Sequence, residues 1–408
     1  SATMPRDRFI ASPFPQVRVN ELERRELLHI VDTHVQDYIT KYVDHVLVDK
    51  RKIDDRRWEH VKSKDKLRVY AERTHKELSR RGIEPETSLS ATQRVQDHSV
   101  SKDLPVVMGI GTLVGDLDDL MYGVVSPTLD DMRVKASYIH DVDSAAVLCP
   151  VIGPSKEDPF RSIVIKWMAI DVPLSTNLVR SRDFVYIEAT GTAFLPTGDR
   201  VGYHLMHSID FPQTKPLPKK TRGNLSVFSC FRKKRGFIIE NFAWGIVDPG
   251  GEIMRSLAVS VAAGALLSAT NYVHCGQMKK LTWMLQHHSL EGQRAAQKKQ
   301  CVVCDKRTSS AIGSIGKSTC RICDGCVCHS CKIRHRINFI APGGQLVQRK
   351  IVVCAKCMKE ATHWNAQEAA KDEASRREVT SSYSFMDTSE SSSYDDNRLV
   401  NSTILEEA

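Results

Sequence analysis

Eight of the twelve cysteines in this 408-residue chain form four C-x-x-C pairs. A two-residue spacer lets the backbone turn so that both sulfurs of a pair can bind one metal ion, and two pairs complete a tetrahedral site. Four pairs in one short segment therefore predict two zinc sites, which are structural because sulfur fills every coordination position. The pairs are Cys301–Cys304, Cys320–Cys323, Cys328–Cys331 and Cys354–Cys357.

A disulfide framework is the alternative use of so many cysteines. It needs an oxidising compartment, and the chain starts with SATMPRDRFI, which lacks the basic and then apolar pattern of a signal peptide. Disulfide-bonded proteins also rarely place their cysteines in four tight C-x-x-C pairs. We therefore expect reduced cysteines and a cytoplasmic protein. Cys326, which lies between two pairs, is expected to be a spare thiol.

The spacing of the pairs resembles that of one zinc-finger family. The gaps between pairs are fifteen, four and twenty-two residues long. FYVE fingers have a four-residue gap between the central pairs, whereas a RING finger has a histidine and a shorter C-x-H step there. The resemblance implies a cross-brace arrangement with interleaved ligands. It assigns one zinc ion to Cys301, Cys304, Cys328 and Cys331, and the second to Cys320, Cys323, Cys354 and Cys357.

The charge of the cysteine-rich segment predicts an anionic partner. Residues 294–362 carry fourteen Lys and Arg against three acidic residues, a net +11, whereas the whole chain has a formal charge of +9. Such an excess favours an anionic membrane or nucleic acid, and the alternative is solubility around a small zinc core. The FYVE resemblance places a phosphatidylinositol 3-phosphate headgroup at Lys317 and Arg321, with Lys332 and Arg334 nearby.

The segment also departs from the FYVE pattern. Both histidines and the first arginine of the family's R-(R/K)-H-H-C-R-x-C-G run are missing from residues 316–324, and no W-x-x-D precedes Cys301. These departures leave open an alternative, in which the finger is a non-catalytic adaptor module that binds a protein or RNA.

Hydrophobic periodicity upstream of the cysteines predicts a helix, a series of strands and a second long helix. Asn20 is the expected N-cap of a helix that ends near Val48. A hairpin is expected over 58–73, a loop insertion over 76–103 and a helix after Asp116. Further strands are expected over 104–114, 134–138, 145–151, 162–170, 184–194, 201–211, 224–231 and 236–247. A helix over about 252–286 closes the series.

This order of elements predicts an α+β helix-grip fold, in which the sheet curls around the last helix. Over residues 20–288 it resembles START domains, which carry lipids and sterols. The motifs of resemblance are Arg182-Asp183-Phe184-Val185, Ser208 with Pro212, Arg222-Gly223 and Asp248-Pro249-Gly250-Gly251. Such a domain followed by a FYVE-type finger resembles the START–FYVE proteins that are numerous in oomycetes.

The START resemblance implies a tunnel for one lipid or sterol ligand. Val261, Leu266 and Ala269 would contribute to its wall. A filled core is the alternative, because a cavity and a core use the same residue types. Arg182 and Asp183 could form a polar pair in this tunnel, although a structural ion pair at the start of a strand is the stronger interpretation.

Together these patterns predict five segments. They are an irregular N-terminus (1–19), a START-like domain (20–288), a linker (289–299), a FYVE-type finger (300–362) and a Ser-rich acidic tail expected to be disordered (363–408). The finger is expected to fold as an independent module, although residues 368–378 of the tail are helix-prone. No run of about eighteen apolar residues indicates a membrane span.

We expect a peripheral protein of endosomal or other internal membranes. It is not expected to be an enzyme, because G-x-S-x-G, H-E-x-x-H and P-loop motifs are absent from the sequence. A lipid or sterol ligand and an anionic membrane are the expected partners. A protein is a further possible partner, whereas nucleic acid is not expected.

Overall fold

The computed structural model describes residues 9, 12–85, 103–139, 144–171, 180–288, 300–307, 318–341 and 343–377. Within these ranges a large sheet and several helices come first, and a small region with the cysteine pairs follows. Four predicted features lie wholly or largely outside the described residues: Lys317, the linker over 289–299, the Ser-rich part of the tail and the loop insertion over 76–103, of which 86–102 are not described and the first residues are helical.

Fourteen strands are present in the described residues, ten of them in the large sheet. These are β1 (Trp58–Lys64), β2 (Leu67–Glu72), β3 (Val106–Val114), β4 (Ser144–Ile152), β5 (Ser162–Ile170), β6 (Arg182–Phe194), β7 (Arg200–Ser208), β8 (Thr221–Arg222), β9 (Asn224–Lys233) and β10 (Ile238–Asp248). The order is β1-β2-β3-β10-β9-β7-β6-β5-β4, all antiparallel, and the short β8 pairs in parallel with β6. Two hairpins follow: β11 (Ser318–Thr319) with β12 (Cys326–Val327), and β13 (Lys332–Ile340) with β14 (Leu346–Cys354).

Eight α-helices are present in the described residues. They are α1 (Glu21–Leu47), α2 (His75–Arg80), α3 (Leu117–Val124), α4 (Leu129–Ile139), α5 (Arg255–Leu267), α6 (Tyr272–His288), α7 (Ala355–His363) and α8 (366–377). A 3₁₀ turn, Ser268–Asn271, joins α5 to α6, so the two form one nearly continuous helical stretch. This stretch begins three residues later than the sequence predicts.

Helix α1 begins after Asn20, as predicted. The Glu23 N–H donates to Asn20 Oδ1 at 2.9 Å, and the Asn20 N–H donates to Glu23 Oε2 at 2.8 Å, which is a capping box. The apolar stripe of α1 packs on the sheet, where Tyr38 stacks on Phe228 of β9 with 5.0 Å between ring centroids. Successive residues of a strand face opposite sides of the sheet. Helix α1 therefore lies on the face of Phe228, and the neighbouring residues Val227 and Ser229 point to the other face.

The opposite face of the sheet surrounds α5. One cavity is lined by α5, by Val107 of β3 and by Met168 of β5. These strands are five places apart in the sheet, about 24 Å at normal strand spacing, whereas a helix is about 10–12 Å wide. The sheet must therefore curve around the helix. The predicted α+β fold, an antiparallel sheet around a long closing helix, is confirmed.

Glycine allows α3 and α6 to pack closely. A Cβ atom on Gly123 would overlap the carbonyl oxygen of Tyr272, and one on Gly276 would overlap that of Asp119. No other residue fits either position without moving a helix backbone. This contact fixes the position of α6 relative to the sheet.

The strand predicted over residues 134–138 is wrong, because these residues belong to α4. Their alternation of apolar and polar residues is typical of a strand, but a helix-start signal precedes them. The Thr128 N–H donates to Asp131 Oδ2 at 3.2 Å, and the Asp131 N–H donates to Thr128 Oγ1 at 3.2 Å. This reciprocal capping starts the helix at Leu129, five residues before the apparent strand.

The helical stretch Arg255–His287 is long and apolar enough to cross a membrane by length and composition, although the sequence showed no uninterrupted apolar run. Half of its most apolar eighteen-residue window is buried inside the protein, as in the core helix of a soluble protein. The hydropathy of this stretch is therefore weak support for a membrane span.

Two buried histidines, one on α1 and one on β7, lead to a prediction on pH. The rings of His34 and His207 are 4.0 Å apart, and burial, together with His34, lowers the pKa of His207 to about 3. An unfolded histidine titrates near pH 6.5, so the stability that a neutral His207 contributes is complete above that pH and is lost as the pH falls below it. The variant His207→Gln should therefore lose less stability between pH 7 and pH 5 than the unmodified chain.

Denaturant unfolding at several pH values checks this prediction. The free energy of unfolding is plotted against pH for each protein. The slopes of His207→Gln and the unmodified chain should differ by an amount that approaches about 1.4 kcal/mol per pH unit, the value for one proton. His60→Gln, at an exposed position, is the control and should leave the slope unchanged. Equal slopes for His207→Gln and the unmodified chain would contradict the assignment.

Candidate functional site

The cysteine pairs form two clusters of four sulfur atoms. In each cluster all four sulfurs lie within 4.8 Å of one another. The sulfurs of Cys304 and Cys328 are 3.7 Å apart, and those of Cys323 and Cys354 are 4.0 Å apart. The structure thus groups the interleaved sets that the cross-brace arrangement requires: Cys301, Cys304, Cys328 and Cys331, and Cys320, Cys323, Cys354 and Cys357.

Two matching turns position the first pair of each cluster. The Asp305 N–H donates to Cys301 O at 2.9 Å, and the Asp324 N–H donates to Cys320 O at 3.0 Å. Both aspartates have left-handed backbones, with φ of 58° and 52°. Aspartate tolerates this conformation better than most residues. The aspartate that follows each of these C-x-x-C pairs is therefore a sequence signal for the turn, in addition to the spacing of the cysteines.

The geometry of both clusters suits a tetrahedral zinc ion. Zn–S bonds of about 2.3 Å place sulfurs roughly 3.8 Å apart, close to the separations observed. Backbone N–H groups also point at the sulfurs: that of Cys354 donates to Cys320 Sγ at 3.3 Å and that of Cys357 to Cys354 Sγ at 3.4 Å. All twelve cysteines are described and all are free thiols, so these residues form no disulfide framework.

The sulfurs within each cluster differ in acidity. A hydrogen bond from the Cys357 thiol lowers the pKa of Cys320 to about 4 and raises that of Cys357. The hydrogen bond with Cys328 raises the pKa of Cys331 to about 12. Thiols of this kind release their protons when a cation binds, so metal affinity should fall with falling pH. A bound metal would supply a structural cross-link here.

The finger shares its core with α6. Three side chains of this helix, Met278, Leu281 and Met284, are buried in the same cluster as the metal-site cysteines and Ile337 of β13. The finger therefore does not pack as a separate body, and its independent folding stays a prediction. Separating the finger would expose these three side chains, each of which contributes roughly 1.5–3 kcal/mol when buried.

Helix α4 also contacts the finger. The Asn338 backbone N–H donates to Tyr138 Oη at 2.6 Å, and the Asn338 side chain donates to Ser137 Oγ at 2.9 Å. Arg133 Nη1 donates to Gly344 O at 2.7 Å. These hydrogen bonds hold the β13–β14 hairpin against a helix whose other side lines the cavity.

Helix α8 packs back on the large sheet's helices, where the sequence predicted the start of a disordered tail. Trp283 Nε1 donates to Asp372 at 2.7 Å, and Arg377 forms an ion pair with Asp131 at 2.8 Å. Ala366, Ala369 and Ala370 are buried in a core cluster with residues of α3, α5 and α6. The prediction of disorder is therefore wrong for residues 363–377, where the sequence also indicates a helix-prone segment, and residues 378–408 lie outside the described residues.

A largely apolar cavity lies between the sheet and the α5–α6 stretch. The centre of a water-sized sphere can occupy about 160 Å³ of it. Val261, Leu266 and Ala269, the wall residues named from the sequence, all line it. Small side chains on the same helical stretch, Ala258, Ala262 and Ala265, leave the space open. Because protein interiors are normally close-packed, this space differs from a filled core.

A buried charged group lies at one end of the cavity. Glu188 forms ion pairs with Lys166 and, at 3.5 Å, with Lys135, and His204 Nε2 lies 2.8 Å from Glu188 Oε1. Burial alone would raise the pKa of Glu188, but the Lys166 and Lys135 ammonium groups outweigh it and hold that pKa well below its usual range. Burial lowers the pKa of His204. Sequence analysis missed this group, although the alternating positions 182, 184, 186 and 188 of β6 all face the cavity.

Arg182 and Asp183 do not pair with each other. Asp183 is buried and accepts hydrogen bonds from Arg222 at 3.0 Å and from Trp167 Nε1 at 3.0 Å. Arg182 lines the cavity and donates to the carbonyl groups of residues 249, 250 and 252 at 3.2–3.4 Å. Both residues thus hold the local backbone and β8 in place, and the ionic partner of Asp183 is Arg222.

Three of the four predicted headgroup residues are described, and they lie close together on the finger. Arg321 and Arg334 are exposed, and Lys332, half-buried, has its ammonium group 3.5 Å from Ser318 Oγ. The Arg321 N–H donates to Val352 O at 2.9 Å, and Val352 pairs with Arg334 across the hairpin. Two residues missed by the sequence analysis extend this face, Arg336 and its cross-strand partner Lys350. We call Arg321, Arg334, Arg336 and Lys350 the basic face.

Comparison with known proteins adds only a weak likeness. No protein-family model matches the chain, and no curated protein matches it. Among solved structures, human STARD10 has 11% identity over 68% of this chain and 87% of its own, with a TM-score of 0.38. Human StAR-related lipid transfer protein 5 has 13% identity over 60% and 99%, with a TM-score of 0.36. A StAR-related lipid transfer protein fragment from Xanthomonas axonopodis has 15% identity over 54% and 98%, with a TM-score of 0.35. At these scores the likeness supports no conclusion about function.

The shared core of finger and α6 leads to a prediction for Cys320→Ser. Losing one ligand should prevent metal binding at its cluster and unfold the finger, since structural zinc supplies on the order of 10–16 kcal/mol in small fingers. The larger part of the chain should then also become less stable, because Met278, Leu281 and Met284 lose their cover. Metal content and thermal unfolding by circular dichroism measure both effects.

Cys326→Ser is the matched control, because Cys326 lies outside both clusters. It should keep the full metal content and the same unfolding temperature. If Cys320→Ser lost its metal while the sheet-containing part unfolded at an unchanged temperature, the finger would not stabilise that part of the chain.

Proposed function

We propose that this chain is a lipid-binding protein that holds one hydrophobic ligand between its curved sheet and α5. The observation that carries the proposal is the apolar cavity with buried charged side chains, Glu188, Lys166 and Lys135, at one end. Ligand sites have this character, with mostly apolar walls and a few polar groups that orient the ligand. The proposal assigns no catalytic step to any residue.

Two zinc ions complete this proposal as structural elements. The four-thiolate clusters have the donor type and spacing that zinc prefers. Each ion would join two segments that are distant in sequence, and both would hold the finger against α6. A lipid-binding part and a metal-stabilised finger would thus act as one unit.

The finger is proposed to dock on an anionic membrane, including one that carries phosphatidylinositol 3-phosphate. The basic face supports this, because its four exposed side chains have no ion pair with any described residue. Exposed lysines and arginines near an anionic bilayer each contribute about 1 kcal/mol. On this basis the protein would be peripheral on endosomal or other internal membranes facing the cytoplasm.

Filling the cavity should prevent lipid binding without unfolding the chain. Val261→Phe adds a ring to the cavity wall, whereas Ser260→Phe adds the same ring at the adjacent exposed position of α5. We expect Val261→Phe to reduce lipid uptake from mixed liposomes about tenfold or more, and Ser260→Phe to reduce it little. Lipid content after re-isolation is the measurement. Full lipid uptake by Val261→Phe would show that the ligand lies elsewhere.

Reversing charge on the basic face should weaken membrane binding. The double variant Arg334→Glu with Arg336→Glu should lose about tenfold or more of its binding to liposomes with anionic lipid, more strongly at low salt. Lys62→Glu, at an exposed position of β1, is the charge control. Co-sedimentation with neutral, phosphatidylserine and phosphatidylinositol 3-phosphate liposomes separates general from specific attraction.

Two results would count against membrane docking. One is liposome binding by the double variant that equals that of the unmodified chain. The other is the absence of liposome binding at every lipid composition together with salt-dependent capture of one protein by the basic face. The second result would favour the adaptor alternative, which the missing FYVE histidines also support.

A further inference from the structure

The two ends of the cavity differ in whether their polar side chains can still form hydrogen bonds with a ligand. At one end Arg182 directs its guanidinium at the carbonyl groups of Pro249, Gly250 and Glu252. At the other end Ser126 and Lys135 line the cavity beside Glu188. The middle of the wall is apolar, with Phe184 and Met168 from the sheet and Val261 from α5. A ligand with one polar head would therefore place it at the Glu188 end.

The described charges at the Glu188 end are unequal. Two ammonium groups, those of Lys166 and Lys135, flank the Glu188 carboxylate, and the other carboxylate that acts on Lys166, that of Asp131, is paired with Arg377 at 2.8 Å. The neighbouring His204 adds no charge at neutral pH, because burial lowers its pKa. Buried charge is costly unless an opposite charge compensates it, so this end favours a negative group over a neutral or positive one.

Two hydrogen-bond donors at this end can reach a ligand. Lys135 lies 3.5 Å from Glu188, longer than the 2.7–2.9 Å typical of a tight charge-assisted bond. Lys135 has further contacts as well, and an ammonium group with three donors can bind a ligand in addition to them. Ser126 Oγ accepts from Lys166 at 3.2 Å, which leaves its own hydroxyl proton to donate.

The dimensions of the cavity favour a slender ligand. The wall from Arg182 to Glu188 spans six residues of β6, about 20 Å along the strand. The open volume of about 160 Å³ is below the roughly 300–1,000 Å³ of pockets that hold drug-sized ligands. A single alkyl chain matches a long and narrow space better than a two-chain phospholipid or a broad ring system.

We propose that the cavity takes a single-chain amphiphile of the long-chain carboxylic acid class, whose carboxylate accepts hydrogen bonds from Lys135 and Ser126. Its alkyl chain lies between β6 and α5. The inference rests on the proposed lipid-binding function and deepens it by naming the class of ligand.

A headgroup series on the unmodified, delipidated, metal-loaded chain tests the inference without any mutation. Palmitate, hexadecanol and hexadecylamine share one chain length and differ in head charge. Each is titrated against diphenylhexatriene, a slender uncharged dye bound in the cavity, and the concentration that displaces half of the dye is the measurement. We expect that concentration for palmitate to be about tenfold or more below those of hexadecanol and hexadecylamine, since a charge-assisted hydrogen bond is worth about this factor.

Substitutions at Lys135 then locate the head. Lys135→Met removes the ammonium group and keeps the side-chain length, so it should weaken palmitate binding by about tenfold or more and hexadecanol binding much less. Lys135→Arg should restore the preference for palmitate. Lys62→Met, at an exposed position of β1, is the control and should change the binding of neither palmitate nor hexadecanol. Unfolding temperatures show whether each variant is folded.

The possible results separate this inference from the proposed function. If hexadecanol displaced the dye at the same concentration as palmitate, or if Lys135→Met left palmitate binding unchanged, the assignment of a carboxylic acid ligand would be wrong. The lipid-binding function would still hold. If no amphiphile, sterol or phospholipid displaced the dye or bound the chain, the lipid-binding function itself would be wrong, and the inference with it.

Discussion

The close contact of α3 and α6 at Gly123 and Gly276 is the constraint on which the other parts of the structure depend. It holds α6 in a position where Tyr272 closes the cavity at one end of the helix, while Met278 and Leu281 enter the core of the finger further along. A larger residue at either glycine would separate the helices and shift both sites together. The ligand cavity and the metal clusters are therefore parts of one packed unit, although they are formed by separate stretches of sequence.

The buried charges around Glu188 support the proposal that the cavity is a ligand site and not a packing defect. Removing two ammonium groups and a carboxylate from water costs several kcal/mol per ion, and their mutual attraction offsets this only with good geometry. Apolar residues of similar size would fill the same volume at lower cost. A buried ionic group beside an open apolar space is therefore expected where a ligand uses it, and its charges define which end of the ligand it binds.

Features set by short-range spacing were predictable from the sequence, and features set by packing between distant segments were not. The capping of α1 by Asn20 depends on residues three positions apart, and the grouping of the cysteines follows from the pair spacing through a family resemblance. In contrast, the contact of Lys166 with Glu188 depends on the pairing of β5 and β6, and the finger's position on α6 depends on apolar residues that resemble any buried helix face. Helix α4 shows a third case, since its apolar alternation indicated a strand until the capping by Thr128 and Asp131 was seen.

Native mass spectrometry of the full chain, purified gently from cells, tests the central claim most directly. We expect a mass that exceeds that of the polypeptide by two zinc ions and one single-chain lipid. After the lipid is removed by organic extraction and the chain is returned to native buffer, only the two zinc ions should remain bound. A mass that corresponds to the polypeptide and zinc alone, in protein that also takes up no added lipid, would contradict the claim that the cavity is a lipid site.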